Sequence, residues 1–169
     1  MPSIIQMMEN CDLLVFAAPV YFDTMASDMK KMFERLMPTL GPVFEYRDKR
    51  TYHLPTSTKL PEAINILLCG NPERQCLESI SKTLGRIIKN MQGKILGEFL
   101  FPSSHLAVTN PELLAGQIKA LTKAGKEIVS SGRISRQTIS AANREYIKDP
   151  EAIIDQMNQI FQELRNQNL

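Results

Sequence analysis

Apolar residues fall along this chain in two textures, short unbroken runs and longer stretches spaced by three and four. Leu13 to Ala18 is an unbroken run halted by Pro19, the texture of a strand buried on both faces in a parallel sheet. Ser3 to Asn10 before it reads as the end of a helix. After a turn from Pro19 to Thr24, Met25, Met29, Met32, Phe33 and Leu36 recur at helical spacing until Pro38. The alternation then repeats. Ala63 to Cys69 predicts a strand ending at Gly70-Asn71-Pro72, and Leu77, Ile80, Leu84, Ile87, Ile88 and Met91 predict a helix terminated by Gly93. Lys94 to Phe101 predicts a third strand. Asn110-Pro111-Glu112 has the form of a helix start, with Leu114, Ile118, Leu121 and Ile128 inward and a stop near Gly132. Asp149-Pro150-Glu151 opens a last helix expected to turn Ile153, Ile154, Met157, Ile160, Phe161 and Leu164 inward. Strand and helix in strict alternation predict an α/β fold with a parallel sheet.

Two stretches break the rhythm. Gly41 to Pro61, containing Tyr46-Arg47-Asp48-Lys49-Arg50, reads as a long excursion, and connections beyond about 12–15 residues are more often functional or mobile than plain linkers. Arg133 to Lys148 reads as a polar linker with a short helix at Thr138–Tyr146.

Composition narrows the function classes. The 169 residues include 43% hydrophobic residues, and 20 Lys+Arg against 18 Asp+Glu leave a net charge of +2. That is a folding composition of a size for one domain, and the charge is too small to argue for nucleic acid. No apolar run approaches the roughly 18 residues of a membrane span, and no basic segment precedes a greasy one at the start. Cys11, Cys69 and Cys76 are an odd set without metal-ligand spacing, as expected of a reduced, cytoplasmic protein. No Ser/His/Asp triad and no metal site is expected, and His53 and His105 stand apart from any carboxylate cluster.

Ligands of open parallel sheets sit beyond the carboxyl ends of the strands. The loops expected there are Ala18 to Thr24, Cys69 to Glu73 and Phe101 to His105. The first offers Tyr21 and Phe22 on a proline-stiffened backbone, suited to a flat conjugated ligand or, equally, to loop packing. In the second, Gly70 lacks a Cβ and lets backbone approach a ligand closely.

The stretch from Asp12 to Arg35 resembles the third strand, flavin loop and third helix of NAD(P)H-dependent FMN reductases of the flavodoxin-like fold. The shared pattern is Asp12, an apolar strand, Pro19-Val20-Tyr21, the small pair Ala26-Ser27, then Lys30 and Arg35. The resemblance implies an oxidoreductase in which FMN takes hydride from NAD(P)H, the cofactor carrying the chemistry and the protein positioning it. It implies cofactor contacts at Pro19, Val20, Tyr21, Phe22, Asp23, Thr24, Gly70 and Asn71, no catalytic side chain, and a homo-oligomer with the Met25–Met37 helix as a contact surface. Lys30, Arg35 and the Arg47–Arg50 cluster read as solvated faces, Cys11 and Cys69 as inert, and the methionines as core or interface filling.

The chain departs from that family ahead of Asp12. No first strand and no Gly/Ser/Thr/Asn-rich loop for the FMN phosphate precedes it, and the clustered cysteines of the iron–sulfur branch fall in the same part. Only strands three to five of the usual order are then expected. Three lost charge-assisted donors at about 1.5 kcal/mol or more each forfeit at least about 4.5 kcal/mol, roughly a thousandfold in affinity. FMN binding by this chain alone is therefore expected to be impaired. The other functions open to it are a non-enzymatic remnant or interaction module, and an electron-carrying flavodoxin.

Overall fold

The unbroken apolar run does form a strand, β1 (Leu13–Tyr21), but it continues through Pro19 rather than stopping there. On its outer side β1 is paired only at Val20 and Tyr21, so a residue without an N–H is tolerated at the unflanked position before them. In the computed structural model, residues 2–55 and 60–167 are described. Helix α1 (Pro2–Glu9) leads into β1, and β2 (Thr24–Met25) and α2 (Ser27–Arg35) follow it. After a 3-10 turn come β3 (Leu40–Arg47), β4 (Arg50–Pro55), β5 (Glu62–Leu68), α3 (Gln75–Asn90) and β6 (Ile95–Phe101). The chain ends with α4 (Leu106–Thr109), α5 (Ala115–Ser131), α6 (Arg136–Ala142) and α7 (Pro150–Gln167).

The main sheet has the order β2-β1-β5-β6. β1, β5 and β6 run parallel, and β2 folds back antiparallel on the end of β1. This is an α/β fold with a mixed, mostly parallel four-stranded sheet flanked by helices, consistent with a flavodoxin-like arrangement. Among the described residues no helix is long and apolar enough to cross a membrane.

Strand alternation sorts the interior into two cores. Phe16, Val20, Ala63 and Leu67 meet α2 and α3 through Phe33, Leu77, Ile80, Leu84 and Ile88. The Phe16 and Phe33 rings lie 5.4 Å apart and tilted, a contact worth about 0.5–1.5 kcal/mol beyond area. On the other face Ile64, Phe99 and Phe101 meet Leu106, Leu114, Ala120, Ala124, Ala142 and Tyr146. Asn65 is fully buried in the central strand, where its Nδ2 donates to Glu98 at 3.1 Å and Ser81 donates to the same carboxylate at 2.7 Å.

Several expectations need correction. β1 is not buried on both faces: Phe16, Ala18 and Val20 are, whereas Val15, Ala17 and Pro19 are exposed. The excursion after Pro38 is an antiparallel hairpin of β3 and β4, turned by Asp48 and Lys49 at positive φ, as a two-residue hairpin turn requires; positions 56–59 of that stretch lie outside the described residues. Helix α3 ends as expected, but the left-handed residue is Gln92, and Gly93 N–H closes the motif onto Ile88 O at 2.8 Å. Helix α5 starts at Ala115, and Asn110 makes no capping bond ahead of it. The short helix in the polar linker spans Arg136–Ala142, with Ser135 accepting from Thr138 N. Last, α7 forms where expected yet has no buried residue, and Ile154, Ile160, Phe161 and Leu164 are exposed.

The free edge of β6 is closed by a side chain. Asn143 receives Leu100 N–H on Oδ1 at 2.9 Å and donates Nδ2 to Glu98 O at 2.7 Å, standing in for one residue of a neighbouring strand. Arg74 donates to the backbone oxygen of Asn143 at 2.7 Å and so ties α6 to the start of α3.

Candidate functional site

Two strand ends and one helix start define a crevice. β1 and β2 join through Phe22 and Asp23, at φ 49° and 57°, with Val20 opposite Met25 and Tyr21 opposite Thr24. That two-residue turn wants glycine or asparagine because both centres are left-handed. A phenylalanine there is a backbone outlier, and such outliers concentrate at functional sites. Val20 and Met25 are buried and anchor the hairpin in the first core, while Tyr21 is mostly exposed and Phe22 wholly so. Both aromatic rings therefore stand out from the protein rather than packing the loop.

The second wall is the end of β5. Cys69 N–H bonds to Phe101 O at 3.1 Å, Ser103 N–H to Asn71 O at 2.8 Å and Ser104 N–H to Cys69 O at 2.8 Å, which locks this loop to the one after β6. Ser103 adopts φ 45° to make its bond, and its fully buried hydroxyl has no hydrogen-bond partner. Above Gly70 nothing lies within 4 Å of where a side chain would stand, so the space over its backbone is open.

Between these walls lies a crevice of about 550 Å3 lined by Val20, Tyr21, Phe22, Asp23, Cys69, Gly70, Asn71 and Cys76, within the usual range of roughly 300–1,000 Å3 for small-molecule sites. Six of the residues expected to contact a cofactor meet there: Val20, Tyr21, Phe22, Asp23, Gly70 and Asn71. Pro19 and Thr24 do not line it. Pro19 lies on β1 opposite Leu68, and Thr24 is an exposed residue of β2.

Two thiols complete the lining. Cys69 donates to Asn71 O at 3.3 Å, and Asn71 Nδ2 donates to Cys76 Sγ at 3.4 Å. Burial, then the neighbouring Cys76, pushes the Cys69 thiol up to about 11, against backbone N–H groups that favour the thiolate. Cys76 is also raised, by burial first and further by the Asp23 and Glu73 carboxylates. Both therefore remain protonated at neutral pH and are poor nucleophiles. From sequence alone Cys69 reads as inert and Cys76 carries no assignment. Its one signal is its place in the first turn of a helix that follows a strand end.

The crevice is thus aromatic at its rim, with one carboxylate and no cation among its lining residues. Arg74, the nearest basic residue in sequence, is committed to Asn143. Lys30 pairs with Glu34 and Lys31 with Asp28 on the exposed side of α2, and Arg47 stacks over Tyr52 at 5.0 Å. His105 lies outside the crevice, and burial lowers its pKa. Met25 is buried, and Met29 and Met32 pack against the first core, leaving Met37 as the exposed methionine after α2. Among the described residues no three His, Cys, Asp or Glu side chains gather in a way that could hold a metal. The site can grip a flat, uncharged ring system and offer backbone groups to its polar edge. It offers no charge-assisted donor to a phosphate. No model of a known protein family matches the chain, and no curated protein matches it significantly.

Proposed function

We propose that this crevice receives the isoalloxazine ring of a flavin and that the chain is an FMN-dependent NAD(P)H oxidoreductase whose binding of FMN is weak. The observation that carries the reading is Phe22, fully exposed on a left-handed turn residue at the end of β1. Holding an apolar ring in water on a strained backbone stabilises nothing in the protein itself, and a flat ligand supplies the missing contact. Tyr21 and Phe22 would edge the ring, and Gly70 and Asn71 would address its polar side. A bound flavin supplies hydride acceptance from a nicotinamide; the chain's own residues orient the ring and exclude water from one side of it.

The same crevice is poorly suited to the phosphate tail, since Asp23 is its one charged lining residue. Riboflavin and FMN are therefore expected to quench on titration with similar, weak affinity, and NADPH oxidation to require added flavin. Saturation by FMN at submicromolar concentration with riboflavin excluded would refute the phosphate argument. Absence of any quenching sensitive to Tyr21→Ala would refute the flavin reading altogether. An interaction module is the second reading, favoured by the uncovered face of β1.

A further inference from the structure

The crevice at the strand ends has a sign as well as a shape. Its lining holds Asp23 and no lysine or arginine, although the chain as a whole carries a net charge of +2. Asp23 sits at φ 57° on the two-residue turn and enters no ion pair among the described residues. After burial, the carboxylates of Asp23 and Glu73 raise the Cys76 thiol, and Glu73 adds to the burial and the Cys76 effect that raise Cys69. Negative charge is therefore felt at both thiols that line the crevice. The start of α3, whose free N–H groups favour an anion, is already supplied with two carboxylates. An incoming anion meets like charge there.

The rim adds a second preference. Tyr21 is 60% exposed and Phe22 wholly exposed, and the faces of such rings attract a cation, each contact at an exposed site being worth a factor of about two to five. Asn71 commits Nδ2 to Cys76 Sγ at 3.4 Å, which leaves the acceptor Oδ1 as the remaining polar atom of that side chain. The basic groups that could cancel the field are engaged elsewhere. Arg74 donates to the backbone of Asn143, and Lys30 and Lys31 pair with Glu34 and Asp28. Two aromatic faces, a carboxylate and an amide oxygen match the flat face, the positive charge and the N–H edge of an amino-substituted aromatic cation.

We propose that the crevice selects flat rings by charge as well as by shape, and that the substrate class it admits in preference to neutral or anionic rings is a planar heteroaromatic cation of the acridinium or phenothiazinium type, with Asp23 setting the preference. The inference rests on the reading of the crevice as a flat-ring site and adds its charge. A unit charge carried on the ring about 5 Å from the carboxylate gains about fourfold at the dielectric of water, and more as the ring displaces water.

The test uses the full chain and three fluorescent probes: proflavine, a tricyclic cation at neutral pH; acridine, the same ring skeleton without the charge; and riboflavin. Proflavine is expected to bind at least about fourfold more tightly than acridine at low salt, with the difference shrinking as salt screens the open site. Asp23→Asn keeps the left-handed turn, which asparagine tolerates. It is expected to weaken proflavine about fourfold while leaving acridine, riboflavin and the melting midpoint as they were. Equal affinity for proflavine and acridine would overturn the proposal. So would a preference for proflavine that Asp23→Asn leaves intact, because the field would then come from another part of the surface. In either case bound riboflavin would keep the flavin reading alive. Proflavine sensitive to Asp23→Asn beside riboflavin that does not bind would uphold the charge selection and remove the flavin. Failure of all three rings to bind would remove both.

Discussion

Replacing Phe22 by asparagine separates what the turn costs the fold from what it contributes to binding. Phe22 lies at φ 49° in a turn whose second centre, Asp23, is at 57°. A left-handed residue with a Cβ costs roughly 1–2 kcal/mol, and asparagine tolerates that region far better than phenylalanine. The lost ring is fully exposed, so no buried apolar area is given up to offset the gain. Phe22→Asn is therefore expected to stabilise the chain by up to about 1 kcal/mol, raising the melting midpoint by about 2–4 °C for a domain of this size. Binding should move the other way. An aromatic contact worth about 0.5–1.5 kcal/mol corresponds to roughly twofold to tenfold weaker riboflavin affinity. Thermal unfolding and flavin-fluorescence titration on the same preparation read both quantities. A lowered midpoint would refute the strain argument, and an unchanged flavin affinity would refute the role of the ring.

Three further outcomes follow from the same geometry. Asn143→Ala leaves Leu100 N–H and Glu98 O without their partner, and urea unfolding is expected to show a loss of about 2–4 kcal/mol; a loss below about 0.5 kcal/mol, the level of an ordinary surface substitution, would show that water replaces the carboxamide freely. Cys69 is raised from 9.0 to about 11, and Tyr146, mainly through burial, from 10.0 to about 12. In the folded state both hold protons the unfolded chain has already released, so stability is complete below pH 9 and falls as pH rises through those windows; a flat urea midpoint between pH 8 and 11 would contradict this. Tyr146→Phe removes the hydroxyl that donates to Pro102 O and is expected to lower stability by about 1 kcal/mol while making the alkaline decline shallower, which urea midpoints at pH 8 and 11 would show.

The local rules of the chain carried far into this structure. The runs at Leu13, Ala63 and Ile95 became the three parallel strands because burying a continuous apolar segment leaves few other solutions, and α3 and α7 appeared where spacing and end signals agreed. The loops expected to gather beyond the strand ends do so, and Val20 to Asp23 meet Gly70 and Asn71 in one crevice. Pattern alone could not decide which apolar face finds a neighbour. Val15 and Phe161 look as greasy in the sequence as Phe16 and Leu84, yet the first pair stands in water and the second is buried, because burial depends on what the topology brings opposite. The hairpin from Leu40 to Pro55 escaped notice because its turn is made by Asp48 and Lys49 rather than by the usual glycine. Cys76 joined the crevice for a similar reason: only the meeting of α3 with the turn after β1 brings its thiol beside Asp23. Spacing along the chain dictated what each segment is; the packing of distant segments decided which side chains are buried and which are left facing solvent.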